Sequence, residues 1–223
     1  MKFYVVNKKP SGGYNFERFR TDFYYDDSVA KSDAPRCPLC GAFVGMLVSM
    51  PPYRVRLETW GTGFGDLAFW MSDFLVSDRF RDAYQHSGLS HIGDFESVEV
   101  LSIRRYVKFS GETPSYFRAM PKIGSARIDP NASELVWSDD KEPECKVCLS
   151  GAGAVKRWKR VAIDKSSWNG DDVFYPYGLT GTLVVTERFV NWSARFDFRN
   201  LVLNDANLSS HDFYPHEATK TST

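Results

Sequence analysis

Short strand-like runs, two Cys-x-x-Cys pairs and a repeat spacing of about 108 residues predict an α+β, sheet-rich chain built as two related lobes. The lobes are expected over residues 1–109 and 110–223, one knuckle in each, forming one compact unit joined by a zinc-ribbon-like four-cysteine site. A length of 223 residues suits one large domain or two small ones. With 43% hydrophobic and 25% charged residues, the chain has the balance of a globular protein rather than a disordered one. The aromatic content, 15%, places large flat side chains in the core and leaves some for a partner. Lys plus Arg and Asp plus Glu are equal at 28 each, which excludes a highly basic binder drawn to nucleic acid by its overall field.

In chain order, the alternating, β-branched runs Lys2–Asn7, Tyr53–Glu58, Phe95–Leu101 and Trp158–Ile163 are expected as strands. The first of these is too short for a signal-peptide core, and no apolar run approaches the ~20 residues that span a bilayer. A soluble chain in the reducing cytoplasm is expected. Gly61-Thr62-Gly63-Phe64-Gly65 lacks the spacing of a dinucleotide fingerprint and reads as a flexible turn. Leu75-Val76 ends in Ser77, a good helix N-cap, and Asp78 puts negative charge at the positive helix end. Phe80, Ala83 and Tyr84 then mark one helical face, closed by Gly88. Residues Ser110–Pro114 and Ser138–Pro143 read as loops between the lobes, and the tail from about Asn207 as mobile.

The cysteines fall as Cys37-Pro38-Leu39-Cys40-Gly41 and Cys145-Lys146-Val147-Cys148, with none elsewhere. A Cys-x-x-Cys turn sets two sulfurs on one side of a tight loop, so two pairs supply the four ligands of tetrahedral zinc. Three readings compete: a structural zinc site, a thioredoxin-like redox pair, and unligated thiols. The redox motif caps a helix, whereas Ala42–Val48 looks more like strand. Four thiolates would close the site, so zinc on Cys37, Cys40, Cys145 and Cys148 would be structural; the knuckles either share one zinc or stack side by side, and sharing is favoured because two thiolates alone make a poor site.

Self-similarity links the halves. Cys37 and Cys145, Cys40 and Cys148, and Trp60 and Trp168 are each 108 apart. Gly65–Trp70 resembles Gly170–Tyr175, and Leu75-Val76-Ser77-Asp78-Arg79-Phe80 resembles Val184-Val185-Thr186-Glu187-Arg188-Phe189. Several matches in one order point to an internal duplication. The repeated Ser/Thr-acid-Arg-Phe box reads as a strand-to-helix connection, with Arg79 and Arg188 structural rather than ligand-binding.

No catalytic residue is assigned: a nucleophile elbow, a zinc-protease helix and a phosphate loop are all missing from the sequence. His86 and His91, like His211 and His216, are five apart and share no helical face, so surface or cap roles are expected. Lys156-Arg157-Trp158-Lys159-Arg160 interleaves cations with an indole beside a knuckle, which suits nucleic acid or a solvated strand face. Phe23-Tyr24-Tyr25-Asp26-Asp27 and Trp137–Glu142 mix aromatics with acids, which suits either ordinary solvated loops or contacts for a cationic protein.

The two cysteine pairs, Ala126-Arg127-Ile128-Asp129-Pro130 with Ser133–Trp137, Ser167–Phe174 and Val185–Phe189 together resemble the double-CXXCG-motif immunity proteins of bacterial toxin–immunity systems. The resemblance covers about residues 35–205. It departs at the second pair, where Leu149 follows Cys148 and glycine comes only at Gly151. What it implies is a non-enzymatic inhibitor that binds a cognate protein toxin in the cytoplasm. A zinc-ribbon-like nucleic-acid binder using Lys156–Arg160 is the alternative, and an enzyme with a structural zinc a third.

Overall fold

Alternation writes the first sheet. In Tyr53–Thr59 the residues Tyr53, Val55, Leu57 and Thr59 point inward while Arg54 and Arg56 face solvent, as a half-buried strand requires. A computed structural model describes residues 1–7, 18–71, 73–90, 92–121 and 123–212. Its elements begin with β1 (Phe3–Asn7), β2 (Thr21–Tyr25), β3 (Tyr53–Thr59), β4 (Leu67–Trp70), β5 (Asp73–Ser77) and α1 (Asp78–Gln85). Next come β6 (Phe95–Arg105), β7 (Tyr116–Ala119), β8 (Ile123–Arg127), α2 (Pro130–Ser133), β9 (Val136–Trp137) and β10 (Val155–Trp158). The last are β11 (Val173–Tyr177), β12 (Val184–Thr186), α3 (Glu187–Ser193), β13 (Val202–Asp205) and β14 (His211–Asp212).

Six strands close a barrel in the order β2-β3-β6-β7-β5-β4 around Phe23, Val55, Leu57, Ala68, Leu75 and Tyr116. Five more form a sheet, β13-β1-β12-β11-β8, and three a small sheet, β14-β10-β9. The strand pairing does not follow a boundary at residue 109. β7 lies beyond that point yet completes the barrel against β5 and β6, while β1 sits between β12 and β13 in the other sheet. Strands are placed by the partners that satisfy their backbone groups, not by sequence order.

The strand expected over Trp158–Ile163 ends at Trp158; Val161 and Ile163 turn into the core, and Ile163 makes only an isolated bridge to Ile128. Ala42–Val48 is also not a regular strand. It forms one arm of a ribbon with residues 30–36, held by isolated bridges Arg36–Phe43 and Lys31–Ser49. Gly45 interrupts that arm where a Cβ would meet Pro35 at 3.3 Å. Loops occupy residues 110–114 and 138–143 as expected. The tail folds as a short 3-10 turn at Ala206–Leu208 and then β14; residues 213–223 lie outside the described residues.

Two corners join the barrel to the sheet with the same chemistry. Ser77 caps α1 by accepting from the Phe80 amide, and Thr186 caps α3 by accepting from Phe189. Each cap hydroxyl donates to a buried carboxylate: Ser77 to Asp66 Oδ1 at 2.7 Å, Thr186 to Asp172 Oδ1 at 2.6 Å. Arg79 pairs with Asp66 and Arg188 with Asp172. Each carboxylate also accepts an amide from the loop after the opposite helix, Arg199 N–H on Asp66 and Ser90 N–H on Asp172. Each arginine reaches a carbonyl in that same opposite loop, Asp197 O or Gly88 O. Between the corners, Phe80 and Tyr84 of α1 meet Trp192 of α3 edge-on at 5.4 and 5.5 Å.

Candidate metal centre

The two knuckles fold alike although their sequences differ. In the first, the Cys37 amide donates to Ala42 O and the Gly41 amide to Cys37 O. In the second, Cys145 N–H donates to Ser150 O and Leu149 N–H to Cys145 O, the same pair of bonds 108 residues later. Gly41 sits at φ 74° and Leu149 at φ 59°, so both turns use the left-handed region. Leucine adopts it because its side chain is buried in the sheet core, where Gly178 leaves the space. A Cβ on Gly178 would meet Leu149 Cδ1 at 2.7 Å.

The knuckles bring all four sulfurs together. Cys37 and Cys145 Sγ are 3.9 Å apart, Cys40 and Cys148 Sγ 3.5 Å, and the four lie within 4.8 Å of one another. A tetrahedron with metal–sulfur bonds of about 2.3 Å has edges of about 3.8 Å, so the cluster has the size of a four-thiolate site. The cysteines are not disulfide-bonded, and 3.5–3.9 Å is far from the roughly 2.0 Å of an S–S bond. Cys37, Cys145 and Cys148 are buried among Val44, Ile123, Val147 and Tyr177, while Cys40 is exposed. The donor set fits a metal ion, and four soft ligands leave no open position for a substrate.

Electrostatics separates the second cysteines of the two pairs. Ser150 lies 3.5 Å from Cys40 Sγ, and its hydroxyl, with the Ala42 amide, lowers the Cys40 thiol to about 6. Burial dominates at Cys148 and pushes its thiol up to about 12. Burial and then the cysteine sulfurs raise the Tyr177 phenol as well. Ser150 is the residue that reading by motif missed; its signal was a hydroxyl two positions after the last cysteine.

The other candidates are dispersed. Arg79 and Arg188 are bound to Asp66 and Asp172, and the structure equates Asp66 with Asp172 rather than with Asp171 of the Gly-Asp match. The Gly61–Gly65 turn serves a close approach: a Cβ on Gly65 would meet Asn200 Cβ at 2.6 Å and Phe19 O at 2.7 Å. His86 Nδ1 bonds Asp82 O, and His211 lies against Trp158; His91 and His216 fall outside the described residues. In the basic run, Lys159 and Arg160 both pair with Glu134 and Trp158 is buried. Of the acid–aromatic segments, Phe23 belongs to the barrel core, Tyr25 donates to Asp73 and Asp26 pairs with Arg56. Asp139 and Asp140 are exposed.

No protein-family model matches the chain, and no curated protein matches it. Among the described residues no helix is long and apolar enough to cross a membrane.

Proposed function

We propose that the chain is an immunity protein that binds and neutralises a cognate bacterial protein toxin in the cytoplasm, with a structural Zn2+ on Cys37, Cys40, Cys145 and Cys148. One observation carries the protein-binding part. From Cys37 to Pro52 the chain has no charged residue, and within it Leu39, Phe43, Met46, Leu47 and Met50 are 59%, 60%, 62%, 58% and 41% exposed. Scattered exposed apolar side chains are ordinary, but five from twelve consecutive residues on one ribbon mark a contact surface. The closed sulfur cluster beneath it supports a scaffolding metal rather than a reacting one. The nucleic-acid alternative would use Lys156–Arg160, where Lys159 and Arg160 share the Glu134 carboxylate and the Trp158 indole is buried rather than presented to a base. We also infer that the two halves descend from one duplicated unit; the matched knuckles and matched Asp–cap–Arg corners support it.

The test is growth rescue. The protein encoded beside this gene is expressed with and without the chain, and arrest relieved by a co-purifying complex is the expected result. The double variant F43D/L47D should lose rescue while keeping metal content and melting temperature. A toxic neighbour that is neither relieved nor bound would overturn the immunity reading, and rescue untouched by F43D/L47D would overturn the ribbon as its contact surface.

A further inference from the structure

Sulfur is divided unevenly between surface and core. Cys37, Cys145 and Cys148 are buried and Cys40 is exposed, so a small oxidant in solvent meets Cys40 first. Sulfur contacts run between the knuckles: Cys40 Sγ faces Cys148 Sγ at 3.5 Å, and Cys37 Sγ faces Cys145 Sγ at 3.9 Å. Cys40 and Cys148 are thus the closer of these pairs to the roughly 2.0 Å of a disulfide. The Ser150 hydroxyl touches both, 3.5 Å from Cys40 Sγ and 3.2 Å from Cys148 Sγ. An exposed sulfur backed by a second one has the layout of an oxidant-sensing cysteine with its resolving partner.

The two sides of that contact differ in freedom. Cys148 precedes Leu149, whose side chain is packed into the sheet core, so its backbone is held. Cys40 rides on the ribbon and is followed by Gly41, where a Cβ would meet nothing within 4 Å. Cys40 can therefore close on Cys148 without displacing the core.

We propose that Cys40 and Cys148 form a hydroperoxide-sensitive modification site, at which oxidation replaces the metal joint between the knuckles with a disulfide. The Cys40 thiolate attacks hydrogen peroxide; the O–O bond breaks, an S–O bond forms and hydroxide leaves. The Cys148 thiolate then attacks the Cys40 sulfur; the S–S bond forms, the S–O bond breaks and a second hydroxide leaves. The Ser150 O–H is placed to donate to that departing oxygen. Peroxide gains two electrons and each sulfur gives up one; both hydroxides take a proton from the buffer and become water. Cys37 and Cys145 alone make a poor metal site, so the ion is released. The first knuckle stays tied to the second by a covalent bond. This rests on the metal reading of the cluster but not on the immunity reading.

The experiment adds hydrogen peroxide to the full, metal-loaded chain. Released metal is read with a colorimetric chelator, and disulfides by tryptic mapping without reduction. Cleavage after Lys146 puts Cys145 and Cys148 on separate peptides, while Cys37 and Cys40 share the peptide Cys37–Arg54. Metal release should keep pace with a link from Cys40 to the peptide bearing Cys148, and dithiothreitol with added zinc should restore the starting metal content. The oxidised chain should also melt above the chelated, reduced chain. A link within one knuckle, a link between Cys37 and Cys145, or oxidation of Cys40 with no link would each overturn the proposal, as would metal retained in excess peroxide. Equal melting temperatures would overturn the covalent joint. Metal content before peroxide tests the metal reading separately: its absence would sink that reading, and the map would still support or overturn the Cys40–Cys148 pair.

Discussion

The two knuckles hold the same turn by opposite means. The first spends a glycine on the left-handed position and leaves it in open space, with nothing within 4 Å of a Cβ built on Gly41. The second places Leu149 there and recovers the strain, about 1–2 kcal/mol for a side-chain-bearing residue, by burying the side chain beside Gly178. The second knuckle is therefore anchored in the sheet core, while the first rides on a ribbon whose outer face is apolar and exposed. One metal-sized cluster thus couples a fixed support to a presented surface.

The largest effect expected is loss of that coupling. If one site is shared, C37S and C145S should each abolish metal binding equally, read by elemental analysis, and lower the melting temperature by a similar large amount. Structural zinc contributes roughly 10–16 kcal/mol in zinc-finger peptides, so partial retention is not expected. A variant of one knuckle that keeps the metal while the other loses it would break the shared-site comparison. Next in size is Leu149→Gly. It relieves the left-handed strain but removes buried leucine packing, worth about 2–5 kcal/mol, and adds chain entropy, so net destabilisation of a few kcal/mol is expected in chemical denaturation. Gly41→Ala should cost only about 1 kcal/mol, since the added methyl meets nothing and only the backbone is strained. Equal costs at the two positions would show that the support is not in Leu149.

Much of this was legible in the residues because the chemistry is local. Ser77 and Thr186 announce their helices through capping, and Phe80 with Tyr84 announces the buried face. The cysteine spacing announced a four-sulfur cluster because Cys-x-x-Cys geometry is fixed within a turn. What did not show was the long-range pairing. No local signal tells β1 to insert between β12 and β13, or β7 to cross the expected lobe boundary and close the barrel. The departure at Leu149 was visible in the sequence, but what lets leucine hold that turn was not, because the compensation lies 29 residues away at Gly178. The Asp66 and Asp172 corners were half visible: the Gly-Asp match marked the first aspartate, but only packing selects Asp172 over its neighbour.

The subtlest contrast lies between Cys40 and Cys148 in the metal-free protein. The Cys40 thiol, lowered to about 6 first by the Ser150 hydroxyl and then by the Ala42 amide, is already thiolate at neutral pH. Cys148, raised by burial to about 12, is not. After chelation, iodoacetamide at pH 7 should therefore label Cys40 first by peptide mass mapping, with a rate midpoint near pH 6. The linkage has opposite signs at the two sulfurs. Cys40 has a folded value below its ordinary 9.0, so its contribution to metal-free stability is complete above 9 and is lost as pH falls through about 6. Cys148 contributes below its ordinary 9.0 and loses that contribution as pH rises toward about 12. Ser150→Ala tests the cause: it should move the Cys40 midpoint upward and leave the order of the two cysteines unchanged. A midpoint that stays put would assign the low value to the turn amides instead, and the first knuckle would then activate its own sulfur without help from the second.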